Sequence, residues 1–189
     1  MKLLVGLGNP GREYQGTRHN MGYMVLAELY AKYGGQTKPK QRFHGELMEI
    51  QVAGEMVLLL SPTTFMNRSG LSVQEAVRFY KTALTELLVI CDDLNLPFGQ
   101  FRLRTGGSSG GQKGLQDIIQ KLASEEFCRA RIGIGRPVSD VDVSDYVLSR
   151  FKPEERKKLP DLIVDAASAV ECWVKNGPQE TMNRFNSRS

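Results

Sequence analysis

Histidine and cysteine are scarce in this chain of 189 residues, with two of the first and three of the second. The cysteines, Cys91, Cys128 and Cys172, are odd in number and show no CxxC spacing. They read as buried free thiols, against a disulfide framework or a metal site. Two imidazoles and scattered thiols offer no cluster with metal-ligand spacing, so neither a metal nor another cofactor is expected. Long apolar runs are lacking too: none approaches the roughly 18–20 residues that would cross a bilayer. The opening Met1-Lys2-Leu3-Leu4-Val5-Gly6 is too short in its apolar run for a signal peptide and reads as a strand. These absences predict a cytoplasmic protein.

What is present is an ordinary globular composition, 41% hydrophobic and 24% charged, in a length that suits one α/β domain over residues 1–189. The charge is unevenly placed. Between Leu94 and Pro137 lie seven basic residues, Arg102, Arg104, Lys113, Lys121, Arg129, Arg131 and Arg136, against Asp117, Glu125 and Glu126. That excess equals the whole formal net charge of +4. A solvated face is the bland account of such a segment; a polyanionic partner is the other.

Periodicity places the elements. Leu3–Leu7 and Leu87–Cys91 read as buried parallel-type strands, the second ending in Asp92-Asp93. Met21, Met24, Val25 and Leu29 share a helical face that Gly34-Gly35 ends. Leu47–Val52 and Met56–Leu60 flank Ala53-Gly54-Glu55 as a hairpin. A polar loop, Ser61 to Asn67, then leads to a helix that Ser69 is expected to cap. Phe98–Leu103 and Ala130–Gly135 read as further strands around a glycine loop, Gly106–Gly114, and a helix carrying Leu115, Ile118, Ile119 and Leu122. A long helix starts at Pro153 and stops at Gly177-Pro178. Strands alternating with helices predict a three-layer α/β/α domain, with a mixed, mostly parallel twisted sheet and helices on both faces.

Several segments carry chemistry. Gly6-x-Gly8-x-x-Gly11 after a strand matches a dinucleotide fingerprint, but Asn9-Pro10-Gly11 is turn chemistry and no helix starts in the glycine loop. His19, in Gly16-Thr17-Arg18-His19-Asn20, is either a satisfied structural imidazole or a general base near neutral pH. Asp92, at the carboxyl end of a central strand, is placed to orient such a base, leaving a capping or turn role to Asp93. Asn9 and Asn67 sit in loops after strands, where an amide offers both donor and acceptor or simply steadies a turn. Phe65, beside Asn67, is either core or a platform for a base. The glycine loop, between a basic strand and a helix start, suits close approach to an anion. It lacks the GxxxxGK[ST] pattern, since Gly114 follows Lys113.

Taken in order, Val5-Gly6-Leu7-Gly8-Asn9-Pro10-Gly11, Tyr14, Thr17-Arg18-His19-Asn20-Met21-Gly22, Pro62 through Gly70, Asp92 through Pro97, the glycine loop and Arg131 through Pro137 resemble the bacterial peptidyl-tRNA hydrolase family. The resemblance spans most of the chain. It implies a monomeric α/β enzyme that cleaves the ester joining a peptide to the 3′ end of tRNA. His19 matches the family's catalytic base, and Asp92 the aspartate that stabilises its working state. Asn9 matches the residue that helps distinguish N-blocked from free aminoacyl-tRNA. Tyr14, Phe65 and Asn67 match substrate-contacting positions, and Arg102, Arg104 and Arg131 those that hold the acceptor end. One departure stands out: where the family usually reads His-Asn-Gly, this chain has Gln112-Lys113-Gly114. Lys113 cannot accept a hydrogen bond as an asparagine does, and offers a phosphate contact instead. Two rivals remain at this level. One is a non-catalytic RNA-binding protein on the same fold; the other is a nucleotide-dependent oxidoreductase resting on the glycine motif alone.

Overall fold

The computed structural model describes residues 1–35, 38–138 and 140–187. Seven strands form one sheet: β1 (Lys2–Gly6), β2 (Lys40–Arg42), β3 (Gly45–Val52), β4 (Glu55–Pro62), β5 (Leu87–Asp93), β6 (Phe101–Arg104) and β7 (Cys128–Gly133), in the order β2-β3-β4-β1-β5-β7-β6. The four central strands, β4, β1, β5 and β7, run parallel. The edge strands pair antiparallel.

The apolar runs foreseen at β1 and β5 are buried on both faces, as central parallel strands must be. Leu4, Leu88 and Ile90 pack into one core with α1 (Met21–Tyr33) and α5 (Pro153–Phe185). Leu3, Val5, Leu87 and Val89 pack into the other with α2 (Ser69–Tyr80) and α3 (Lys113–Leu122). The result is three layers. A short α4 (Val143–Val147) precedes α5. Among the described residues no helix is long and apolar enough to cross a membrane.

The hairpin turns on Ala53 and Gly54 at φ 53° and 84°, the doubly left-handed turn that matches the twist of paired strands. The other edge is closed differently. Helix α5 breaks at Gly177 (φ 80°, ψ −179°), and its last turns carry Phe185 against Phe101. Asn186 then accepts from Leu103 N (2.8 Å) and donates to Leu103 O (3.0 Å). One side-chain amide thus covers part of a strand edge that would otherwise be open to pairing. The tail through Ser187 docks there, and no described residue after Leu148 lines the cleft described below.

Two expectations are corrected. Ser69 is the first residue of α2, not its capping acceptor; its Oγ donates to Met66 O (2.9 Å), because a short 3₁₀ turn, Met66–Arg68, leads into the helix. The strand expected over Phe98–Leu103 begins only at Phe101, since Pro97 through Gln100 form a tight turn against Gly133. All three cysteines are free and buried.

Candidate active site

The carboxyl ends of β1, β4 and β5 open onto a cleft of about 630 Å³. His19 lies in its wall, in the 3₁₀ turn Arg18–Asn20 that leads into α1. Both neighbours in that turn are anchors. The Arg18 guanidinium is 2% exposed, donates to Ser149 Oγ (2.7 Å), Arg150 O and Glu155 Oε2 (2.6 Å), and lies over the Tyr146 ring. Asn20 is bonded twice to the backbone of Asn9: its Oδ1 accepts from Asn9 N (2.8 Å) and its Nδ2 donates to Asn9 O (3.0 Å). These bonds hold the 9–20 loop closed on itself and leave His19 little freedom of direction.

The imidazole Nδ1 stands 2.9 Å from both oxygens of Asp92, and both residues are buried. An ionised carboxylate only accepts, so in the neutral imidazole this contact places the proton on Nδ1 and leaves the lone pair on Nε2. The last residue of β5, Asp93, takes the other role foreseen for this pair. It accepts from Asn95 N (2.7 Å), fixing the turn after the strand, and pairs with the Arg131 Nε. Arg136 in turn donates to Asn95 Oδ1.

Asn9 Oδ1 accepts from Met66 N (2.8 Å), which fixes the amide's orientation and leaves Nδ2 as the free donor. Asn9, Tyr14, Phe65, Asn67 and Lys113 all line the cleft. Phe65 is 58% exposed at its mouth, so it is not core. Lys113 opens α3 and is exposed. Arg131 reaches the cleft, whereas Arg102 and Arg104 do not line it. They stand on β6 opposite Arg131 and Arg129, so all four arginines project from one face of the sheet. Arg129 belongs to the scaffold: it is 1% exposed and donates to the carbonyls of Ser108 (3.1 Å) and Glu125 (2.8 Å), pinning the glycine loop.

The glycine motif at Gly6 is explained by packing. A Cβ at Gly6 would lie 2.5 Å from Gly22 O, one at Gly8 2.7 Å from the Tyr23 ring, and one at Gly22 2.3 Å from Leu7 N, so α1 rests directly on the end of β1. That helix begins only at Met21, well beyond Gly11 in the chain, so no α-helix opens in the glycine turn as the dinucleotide fingerprint requires. Cys91 reaches the floor of the cleft, but burial, with Asp92 and Asp93 adding to it, pushes its thiol well above the usual range. It remains a neutral thiol, unsuited to nucleophilic work. Among the described residues no group of three or more His, Cys, Asp or Glu could hold a metal ion.

Gln112 is the contributor that sequence reasoning passed over. It lines the cleft and donates from Nε2 to Asp92 Oδ1 (3.1 Å). Its sequence signals are its place just before a helix start and its standing in the tripeptide that departs from the resembled family's His-Asn-Gly.

The fold and cleft define an α/β domain with a buried histidine–aspartate pair at the carboxyl ends of its central strands. The model of the family described as peptidyl-tRNA hydrolase matches residues 3–189. Over all of this chain and 99% of its own length, the peptidyl-tRNA hydrolase of Rhodopirellula baltica is 52% identical. That of Syntrophomonas wolfei is 45% identical over 98% of this chain and 100% of its own. A crystal structure of the Acinetobacter baumannii peptidyl-tRNA hydrolase superposes with a TM-score of 0.91 at 41% identity, covering 99% of this chain and 95% of that one. The chain belongs to the peptidyl-tRNA hydrolase family.

Proposed function

We propose that this protein hydrolyses the ester between a peptide, or an N-blocked aminoacyl group, and the 3′ end of tRNA, recycling tRNA from prematurely released peptidyl-tRNA. The observation that carries the mechanism is the His19 Nδ1 contact of 2.9 Å to both Asp92 oxygens, which leaves Nε2 free in the wall of the cleft. Nε2 takes a proton from water as the water oxygen attacks the ester carbonyl carbon. The tetrahedral intermediate collapses by breaking the bond to the ribose 3′ oxygen, which receives the proton back from the imidazolium. Asp92 stays ionised and stabilises that cation. An ester has a good leaving group, so this route uses neither a covalent enzyme intermediate nor a metal, and no cofactor.

Selection divides between two chemistries. Asn9 Nδ2 and Asn67 contact the peptide backbone and the attacking water, insensitive to side-chain identity. Tyr14 and Phe65 flank the terminal nucleoside. Lys113, Arg131, Arg102 and Arg104 hold the acceptor end by charge, so affinity falls steeply with salt. In this reading residues 1–189 act as one unit, monomeric and cytoplasmic.

The test is hydrolysis of N-acetyl-aminoacyl-tRNA beside free aminoacyl-tRNA. Rapid cleavage of the blocked substrate alone is expected. Retained tRNA binding with no cleavage would favour the RNA-binding reading, which the changed Gln112-Lys113 pair keeps in play.

A further inference from the structure

We infer that Gln112 is a positioning residue for the His19–Asp92 pair, coupling the start of α3 to the orientation and charge of Asp92. The amide is read without ambiguity. Its Oε1 accepts from Leu115 N (2.8 Å), closing the first turn of α3, so its Nε2 must face the other way. There it donates to Asp92 Oδ1 (3.1 Å), the oxygen that also accepts from His19 Nδ1 (2.9 Å). Nε2 also lies 3.3 Å from Met66 Sδ, and Met66 N is the donor that fixes Asn9. One side chain therefore touches Asp92 and the turn that orients Asn9 while anchored to a helix. A carboxylate held only by the imidazole could swing about its own axis; the second donor removes that freedom. The amide dipole also draws on the carboxylate's charge, which weakens its hold on an imidazolium and favours the neutral, basic imidazole.

The other charged groups around the pair are already engaged or lie on the cleft wall. Asp93 of β5 is paired with Arg131 of β7, Arg18 with Glu155 of α5, and Arg136 is bonded to Asn95. Lys113 of α3 and Asp142 before α4 line the same cleft. Gln112 is the neutral member that touches Asp92 itself.

The inference rests on the proposed base role of His19, and its test separates the two. The Gln112→Ser variant keeps a good helix cap but is too short to reach Asp92. The Gln112→Glu variant keeps the length and the cap acceptor while replacing the donor by a second carboxylate. The readouts are the imidazole titration of His19 by NMR and kcat/KM against pH. The second histidine, His44, lies outside the cleft beside Glu75 and serves as the internal control. In the serine variant the His19 titration should move up by about half to one pH unit, so that kcat/KM falls about 3- to 10-fold on the acid limb of the profile and stays close to wild type at pH 8.5, where the imidazole is neutral in both. The glutamate variant should move it at least as far, unless the introduced carboxyl takes up its own proton and imitates the amide; the serine variant has no such route and decides. His19 titrating as in wild type in Gln112→Ser, with the variant folded, would overturn the inference whether or not the protein proves to be a hydrolase. Absence of hydrolysis in wild type, with the NMR shift present, would sink the proposed activity and leave the coupling standing.

Discussion

Two regions of the molecule are built on opposite plans. Around His19 every neighbour is buried and bonded: Arg18 to Ser149 and Glu155, Asn20 to Asn9, Asp92 to His19 and Gln112. Around β6 and β7 the cations Arg102, Arg104 and Arg131 stand on one face of an edge, partly or fully exposed, and Arg131 is the one held, by Asp93. In the proposed function the contrast follows from what each region would do. A proton transfer requires atoms placed to within a few tenths of an ångström, which only a desolvated network enforces. A phosphate backbone asks only for positive charge within reach, and long exposed side chains supply it.

Substitutions should separate the two plans. The largest effect is expected from His19→Gln, which keeps polarity and approximate volume but removes the base: kcat should fall about 10²- to 10⁴-fold with tRNA binding unchanged. Asp92→Asn should follow, at about 10²-fold or more, because an amide can turn its donor toward Nδ1 and hold the wrong tautomer. Arg18→Ala should act on stability instead, leaving Glu155 without its cation and the cleft-side turn unanchored. Unfolding free energy should drop by about 3 kcal/mol, read from urea melts. Arg104→Ala and Arg131→Ala should each raise KM about 3- to 10-fold and flatten the salt dependence by about one unit of slope, with kcat little changed. An unaltered salt slope in both would move the tRNA footprint off this edge. The smallest effect belongs to Cys91: iodoacetamide at pH 7 should leave activity intact, because burial keeps that thiol protonated and out of reach. Stoichiometric inactivation would mean that the floor of the cleft opens.

The same contrast sets what could be read from the sequence. The central strands, the hairpin and helices α1, α3 and α5 were legible because their apolar periodicity is forced by burial on one face or both. The elements that escaped are short and polar. The β2 strand has three exposed residues, Lys40, Gln41 and Arg42, and α4 is five residues long with only Val147 buried. At the cleft, the carboxyl end of a central strand pointed to Asp92 and general acid–base chemistry pointed to His19. Their contact, 73 positions apart, is where those two arguments meet. The anchors were not legible in their roles. Arg18 finds Glu155 across 137 positions, and Gln112 finds Asp92 across the glycine loop; no local pattern encodes a partner at that distance. The basic segment was legible as a sum but not as a division of labour, since Arg129 spends its charge on the loop carbonyls and the other arginines stay outside.

The most direct test of the account is kcat/KM for N-acetyl-aminoacyl-tRNA measured from pH 5 to 8.5, at constant ionic strength so that tRNA binding does not drift. A general base predicts a rise of about tenfold per pH unit on the acid side, levelling once the imidazole is neutral, and loss of that limb in His19→Gln. A flat profile across the range, or an unchanged limb in the variant, would contradict the assignment of His19 as the base.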